Sequence, residues 1–86
     1  MYRSADEIRI EILKAVRDHP VTSYFKLSNL VKTGFRTVKR NCEALAQYGL
    51  VSIQKVPKEQ APSKKESFTI SITAEGTRFL ERVEKQ

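Results

Sequence analysis

Apolar residues recur along the first part of the chain at intervals of three and four: Ile8, Ile12 and Val16, with Leu13 beside them. At about 100° of rotation per residue this spacing lays them on one side of a helix. Ser4-Ala5-Asp6-Glu7 reads as a capping box, in which the Ser4 hydroxyl accepts from the Glu7 amide, and Pro20 stops the pattern after Asp18 and His19. Ile10 falls outside the stripe. It widens the apolar face beyond what one core contact requires, which points to a second packing partner for this helix.

From Ser23 to Leu50 the pattern becomes two helical runs joined at Lys32-Thr33-Gly34. Thr22 or Ser23 can cap the first run, where Tyr24, Leu27, Leu30 and Val31 recur at helical spacing. Tyr24 and Phe25 could stack on nucleobases, but aromatic residues at this spacing more often belong to a core. In the second run, a stripe centred on Val38 brings Phe35, Cys42, Leu45 and Gly49 within about 60° of it, facing inward. Arg36, Arg40, Glu43 and Gln47 then lie on the opposite side, with Thr37 and Lys39 on its flanks. Gly34 permits the sharp turn, Thr33 or Gly34 caps the second helix, and Gly49 ends it.

The period then shifts to two. Val51 and Ile53 alternate with Ser52 and Gln54, and Phe68, Ile70 and Ile72 alternate with Ser67, Thr69, Ser71 and Thr73. This predicts an antiparallel pair with one wet face, to which Val21 could add a short strand. Between the two strands runs VPKEQAPSKKE, polar, interrupted by Pro57 and Pro62, and long for a hairpin connection. Thr73 caps a last helix with Glu75 in its first turn and Phe79, Leu80 and Val83 along one side. Gly76 weakens that first turn by up to ~1 kcal/mol relative to alanine, so its presence implies close packing against a neighbour.

The order helix, helix, turn, helix, hairpin, helix defines an α+β fold, mostly α. It predicts a winged helix-turn-helix, with a three-helix core, a two-stranded β wing and a C-terminal helix in one domain spanning 1–86.

Composition narrows the function. With 86 residues, 40% hydrophobic and 30% charged, the chain supports one modest core. No apolar run approaches the ~18 residues of a membrane span. The N-terminal stretch lacks the apolar centre of a signal peptide, and the single cysteine forms no internal disulfide, so a cytoplasmic location is expected. Cys42 reads as a small core residue, and His19, the one histidine, as a loop residue without companions for a metal. There is no nucleophile with a base, no phosphate-cradling glycine loop and no metal-ligand spacing, so neither an enzyme nor a cofactor is expected.

The net charge of +6 is unevenly placed. Residues 26–65 hold nine lysines and arginines against Glu43 and Glu59, an excess of +7, while the segments on either side come close to neutrality. Localised cations of this kind release counterions from a polyanion and supply affinity that is independent of sequence. A helix with Arg36, Lys39 and Arg40 on its polar side suits the major groove of DNA, with its apolar side docked on its own domain.

The phrase RTVKRNCEALAQYGLVSI, followed after a loop by FTISITAEGTRFLERV, resembles the small archaeal winged helix-turn-helix transcription regulators, including those of archaeal viruses and plasmids. Its most telling pieces are Leu45 to Val51 and the Ile72-Thr73-Ala74-Glu75-Gly76 junction with Phe79-Leu80 behind it. The resemblance covers nearly the whole chain. It implies that Arg36, Thr37, Lys39 and Arg40 occupy recognition-helix positions and that the loop bearing Lys58, Lys64 and Lys65 is the wing. Many relatives place serine at the N-cap of the recognition helix, where this chain has Thr33-Gly34. No small-molecule effector is indicated by the residues.

The expected partner is double-stranded DNA, read by the recognition helix, with the wing on the backbone or minor groove. Surplus apolar surface on the terminal helices predicts a homodimer through Tyr2, Ile10, Phe79, Leu80 and Val83. The rival from another class is a winged helix used for protein contact, as a subunit or adaptor of nucleic-acid machinery; the excess of basic charge in the middle segment argues against it.

Overall fold

The structure is a computed structural model that describes residues 4–20, 22–56 and 67–85. Helix α1, Ala5–Asp18, starts where Ser4 Oγ accepts a hydrogen bond of 3.2 Å from the Glu7 amide. It ends as the His19 amide donates to the carbonyl of Ala15. Ile12, Leu13 and Val16 are buried in the core, while Ile8 and Ile10 pack against its edge.

Helix α2, Tyr24–Val31, is capped by Ser23, whose Oγ accepts from the Lys26 amide at 3.2 Å. Tyr24, Leu27 and Val31 are buried, but Leu30 is exposed, contrary to its place in the expected stripe. The turn after α2 also differs from expectation. The left-handed residue is Lys32, at φ 58°, and Gly34 has an ordinary extended conformation. The amides of Lys32 and Thr33 both return to the carbonyl of Ser28, so the turn is a C-terminal cap of α2 that happens to use lysine.

Helix α3, Phe35–Gln47, begins at Gly34, which offers no side-chain cap. Val38, Cys42 and Leu45 form its inner stripe. Gly49 follows with φ 78°, the left-handed position expected for a helix C-terminus. A Cβ on Gly49 would meet no atom within 4 Å, so replacing it with alanine should cost only the backbone strain of that conformation, about 1 kcal/mol, measurable by urea unfolding.

Strands β1, Val51–Val56, and β2, Ser67–Ile72, pair antiparallel, with Ile53 opposite Ile70 and Lys55 opposite Phe68. Thr22 adds a bridge to Ile70 on the other edge of β2, through hydrogen bonds of 3.2 and 2.9 Å in the two directions. Val21, expected to contribute a strand here, lies outside the described residues.

Helix α4, Ala74–Glu84, is capped by Thr73, whose hydroxyl accepts from the Gly76 amide at 3.0 Å and donates to the Gly49 carbonyl at 2.6 Å. Gly76 sits against the chain at Leu50, so close that an added Cβ would lie 2.1 Å from the Leu50 carbonyl oxygen. The far end of α4 is tied to α1 by Arg17 Nη1 and Glu84 Oε1 at 2.6 Å. That hydrogen bond raises the Arg17 pKa. Helix α1 thus packs against α2, α3, β2 and α4, with the core between them. Among the described residues no helix is long and apolar enough to cross a membrane.

Candidate nucleic-acid interface

Helix α3 places Arg36, Lys39 and Arg40 in solvent together with Glu43 and Gln47. Among the described residues none of the three cations is held in an ion pair, so their charge is free to meet an external partner. The inner side of the same helix holds it down. Burial pushes the Cys42 thiol up to about 12, with the charge of Glu43 adding to the effect. A thiol so placed stays protonated and inert near neutrality.

Thr37 differs from its neighbours. It is half-buried, and its backbone carbonyl accepts a 2.8 Å hydrogen bond from Asn41 Nδ2. Asn41 itself is buried, at 6% exposure, and its Oδ1 accepts from Arg9 Nε of α1 at 3.0 Å. This polar joint fixes α3 against α1. Helical spacing sets Asn41 about 60° from Val38, at the edge of the inward arc, but a polar side chain there gives no sign of a partner on α1. Asn41→Ala should strand the Arg9 donor and cost about 2 kcal/mol of stability, read as a lower midpoint in urea unfolding.

Phe35 also departs from the expected pattern. It occupies the first position of α3 and is 49% exposed rather than facing inward. Its ring meets Tyr24 edge-on, with centroids 5.8 Å apart and planes at 81°, and Tyr24 in turn lies 5.8 Å from the ring of Phe68 on β2. Burial drives the Tyr24 phenol up to about 12, helped by the nearby Cys42 and Glu43.

Lys58, Lys64 and Lys65, expected to form the basic wing, lie outside the described residues, as does Tyr2. Of the other residues expected at a dimer contact, Ile10 and Phe79 are half-buried and line one groove of about 600 Å³. Tyr48, 68% exposed, and Leu50 complete its apolar wall, with Asp6 and Arg9 at the polar margin. Val83 is half-buried on α4. Leu80 is a correction: it is wholly inside the core and presents no surface to a second chain. Apolar spacing on α4 could not separate the residue facing its own core from those at the rim. Among the described residues no group of side chains could hold a metal ion.

A two-helix unit with a tight turn, a charged second helix and an antiparallel hairpin make this a winged helix-turn-helix fold. No family profile matches the chain, and no curated protein matches it in sequence. Solved structures do. The smu.1704 protein of Streptococcus mutans UA159 superposes with a TM-score of 0.80 at 22% identity, over 99% of this chain and 81% of that one. YusO of Bacillus subtilis gives 0.78 at 17% identity, over 91% of this chain and 52% of its own. A point mutant of MarR from Escherichia coli, complexed with operator DNA, gives 0.73 at 17% identity, over 90% and 51%. The chain therefore spans about half the length of YusO and MarR, and the likeness is one of fold.

Proposed function

We propose that this protein is a double-stranded DNA-binding transcription regulator that acts in the cytoplasm. Helix α3 enters the major groove, with Arg36, Thr37 and Arg40 nearest the bases and Lys39 nearer phosphate, while the loop carrying Lys58, Lys64 and Lys65 follows the backbone or an adjoining minor groove. Thr37 stands at the edge of that surface. The observation that carries this reading is the row of unpaired cations on the outer side of the second helix of a helix-turn-helix. The fold likeness to a regulator solved on operator DNA supports it. Selection from a random duplex library tests it: recovery of one preferred sequence is the expected result, and equal recovery of all sequences would leave only nonspecific binding. A pulldown insensitive to nuclease and salt would favour the protein-adaptor alternative.

The reading includes a homodimer. The groove edged by Ile10, Tyr48 and Phe79 is apolar, and Asp6 and Arg9 at its margin bring opposite charges that a twofold axis can pair. Such a dimer would carry two reading helices about one DNA turn, ~34 Å, apart. Sedimentation should show a dimer at micromolar concentration, and Ile10→Glu should convert it to monomer. A wild-type monomer at high concentration, free and on DNA, would remove this part of the proposal.

A further inference from the structure

The first turn of α3 holds an apolar ring on an otherwise cationic surface. Phe35 is half exposed, follows Gly34 directly and precedes Arg36; Lys39 lies one helical turn beyond it on the same side. Leaving half a phenylalanine in water is unfavourable, and a loosely attached ring would fold back onto the protein. This ring is instead braced at its edge by Tyr24, a residue only 6% exposed, which is itself packed between Phe35 and Phe68. The brace runs from the sheet through α2 to the tip of α3, so the position of the exposed ring is set by the core rather than by solvent.

A major-groove edge presents donors and acceptors at every base pair, but only one apolar group, the C5 methyl of thymine. The N-terminal residues of a recognition helix are those that reach base edges. We propose that Phe35 reads a thymine methyl beside the bases contacted by Arg36, and so determines specificity through apolar contact where the arginines act through hydrogen bonds. This inference rests on the reading of α3 as the helix that enters the major groove.

The test begins with the unaltered protein and its selected duplex. Each thymine is replaced in turn by deoxyuridine, which removes the methyl and leaves every hydrogen-bonding group in place. One thymine per half-site should show a loss of about fourfold in affinity, the value of one buried methyl-sized group. Phe35→Ala should bind the thymine and uracil duplexes equally, while Phe35→Leu, which keeps an apolar contact, should retain part of the difference. Thr37→Ser, whatever its own affinity, should keep the full ratio between the two duplexes, since the Thr37 methyl is not the reader. The proposal is overturned if no thymine matters in the wild-type protein, if Phe35→Ala preserves the ratio, if Thr37→Ser abolishes it, or if Phe35→Ala weakens preferred and random duplexes alike. Sequence-selective binding that ignores every methyl would remove this inference alone. Failure to bind any duplex would remove the proposed function with it.

Discussion

Gly76→Ala should destabilise the protein by about 3 kcal/mol and lower its melting temperature by about 15 °C, a larger effect than any surface change. The cause is steric. The new Cβ would stand 2.1 Å from the Leu50 carbonyl oxygen and 2.8 Å from a side-chain carbon of Ile72, and the first obstacle is backbone. That oxygen cannot step aside freely, because it accepts a 3.1 Å hydrogen bond from the Thr73 amide. Relief would require α4 to lift from the end of α3 and the start of β1. Helix propensity alone predicts the opposite sign, since alanine is favoured over glycine by up to ~1 kcal/mol in a helix. Thermal unfolding by circular dichroism decides between them, and an unchanged or raised melting temperature would mean that the close approach to Leu50 does not exist in solution.

The second large effect concerns DNA. Replacing Arg36 or Arg40 by alanine should cost about 1 to 3 kcal/mol on the preferred duplex and much less on random DNA, so the gap between them narrows. Both side chains extend from a helix held by Val38, Cys42, Leu45 and the Asn41 joint, which gives them the fixed origin that base readout demands. Replacing Lys64 and Lys65 together should instead weaken all duplexes alike. The slope of log K against log salt should fall by roughly 1 for each phosphate that a lysine no longer neutralises. Titrations at several salt concentrations on preferred and random duplexes separate the two roles. If the lysine change erased sequence preference with the slope untouched, the loop rather than α3 would be the reader.

Most of the fold was legible because helix caps and apolar spacing are local signals. Ser4, Ser23 and Thr73 each cap a helix by accepting an amide, and Val38, Cys42 and Leu45 of the expected α3 stripe are buried, whereas Phe35 and Gly49 at its two ends are exposed. The phrases on which the expected resemblance rested form one packing joint. Gly49-Leu50-Val51 and Ile72 to Gly76 touch each other through Thr73 and Gly76. Bacterial structures of 17% and 22% identity share the fold, so this joint speaks to architecture rather than to source.

The misses have a common origin in contacts distant along the chain. Phe35 stands half exposed at the start of α3 against the Tyr24 ring of the preceding helix, and the inward Asn41 finds its partner in Arg9, 32 residues earlier. Leu80 and Phe79 are neighbours in sequence with different fates, decided by how α4 lies on α1. A single helix carries no record of that angle.

The hairpin is fastened at its base from three directions. Thr22 grips Ile70 on the outer edge, the Thr73 amide grips Leu50, and the Thr73 hydroxyl grips Gly49. None of these bonds involves the ten residues 57–66 between the strands. The pairing of β1 with β2 is therefore held from the core end of the hairpin. Doubling the length of the 57–66 segment should cost about 0.6 kcal/mol of closure entropy. Under the proposed function, exchanging lysines in this stretch would retune affinity for the sugar-phosphate chain, while the choice of bases would stay with α3.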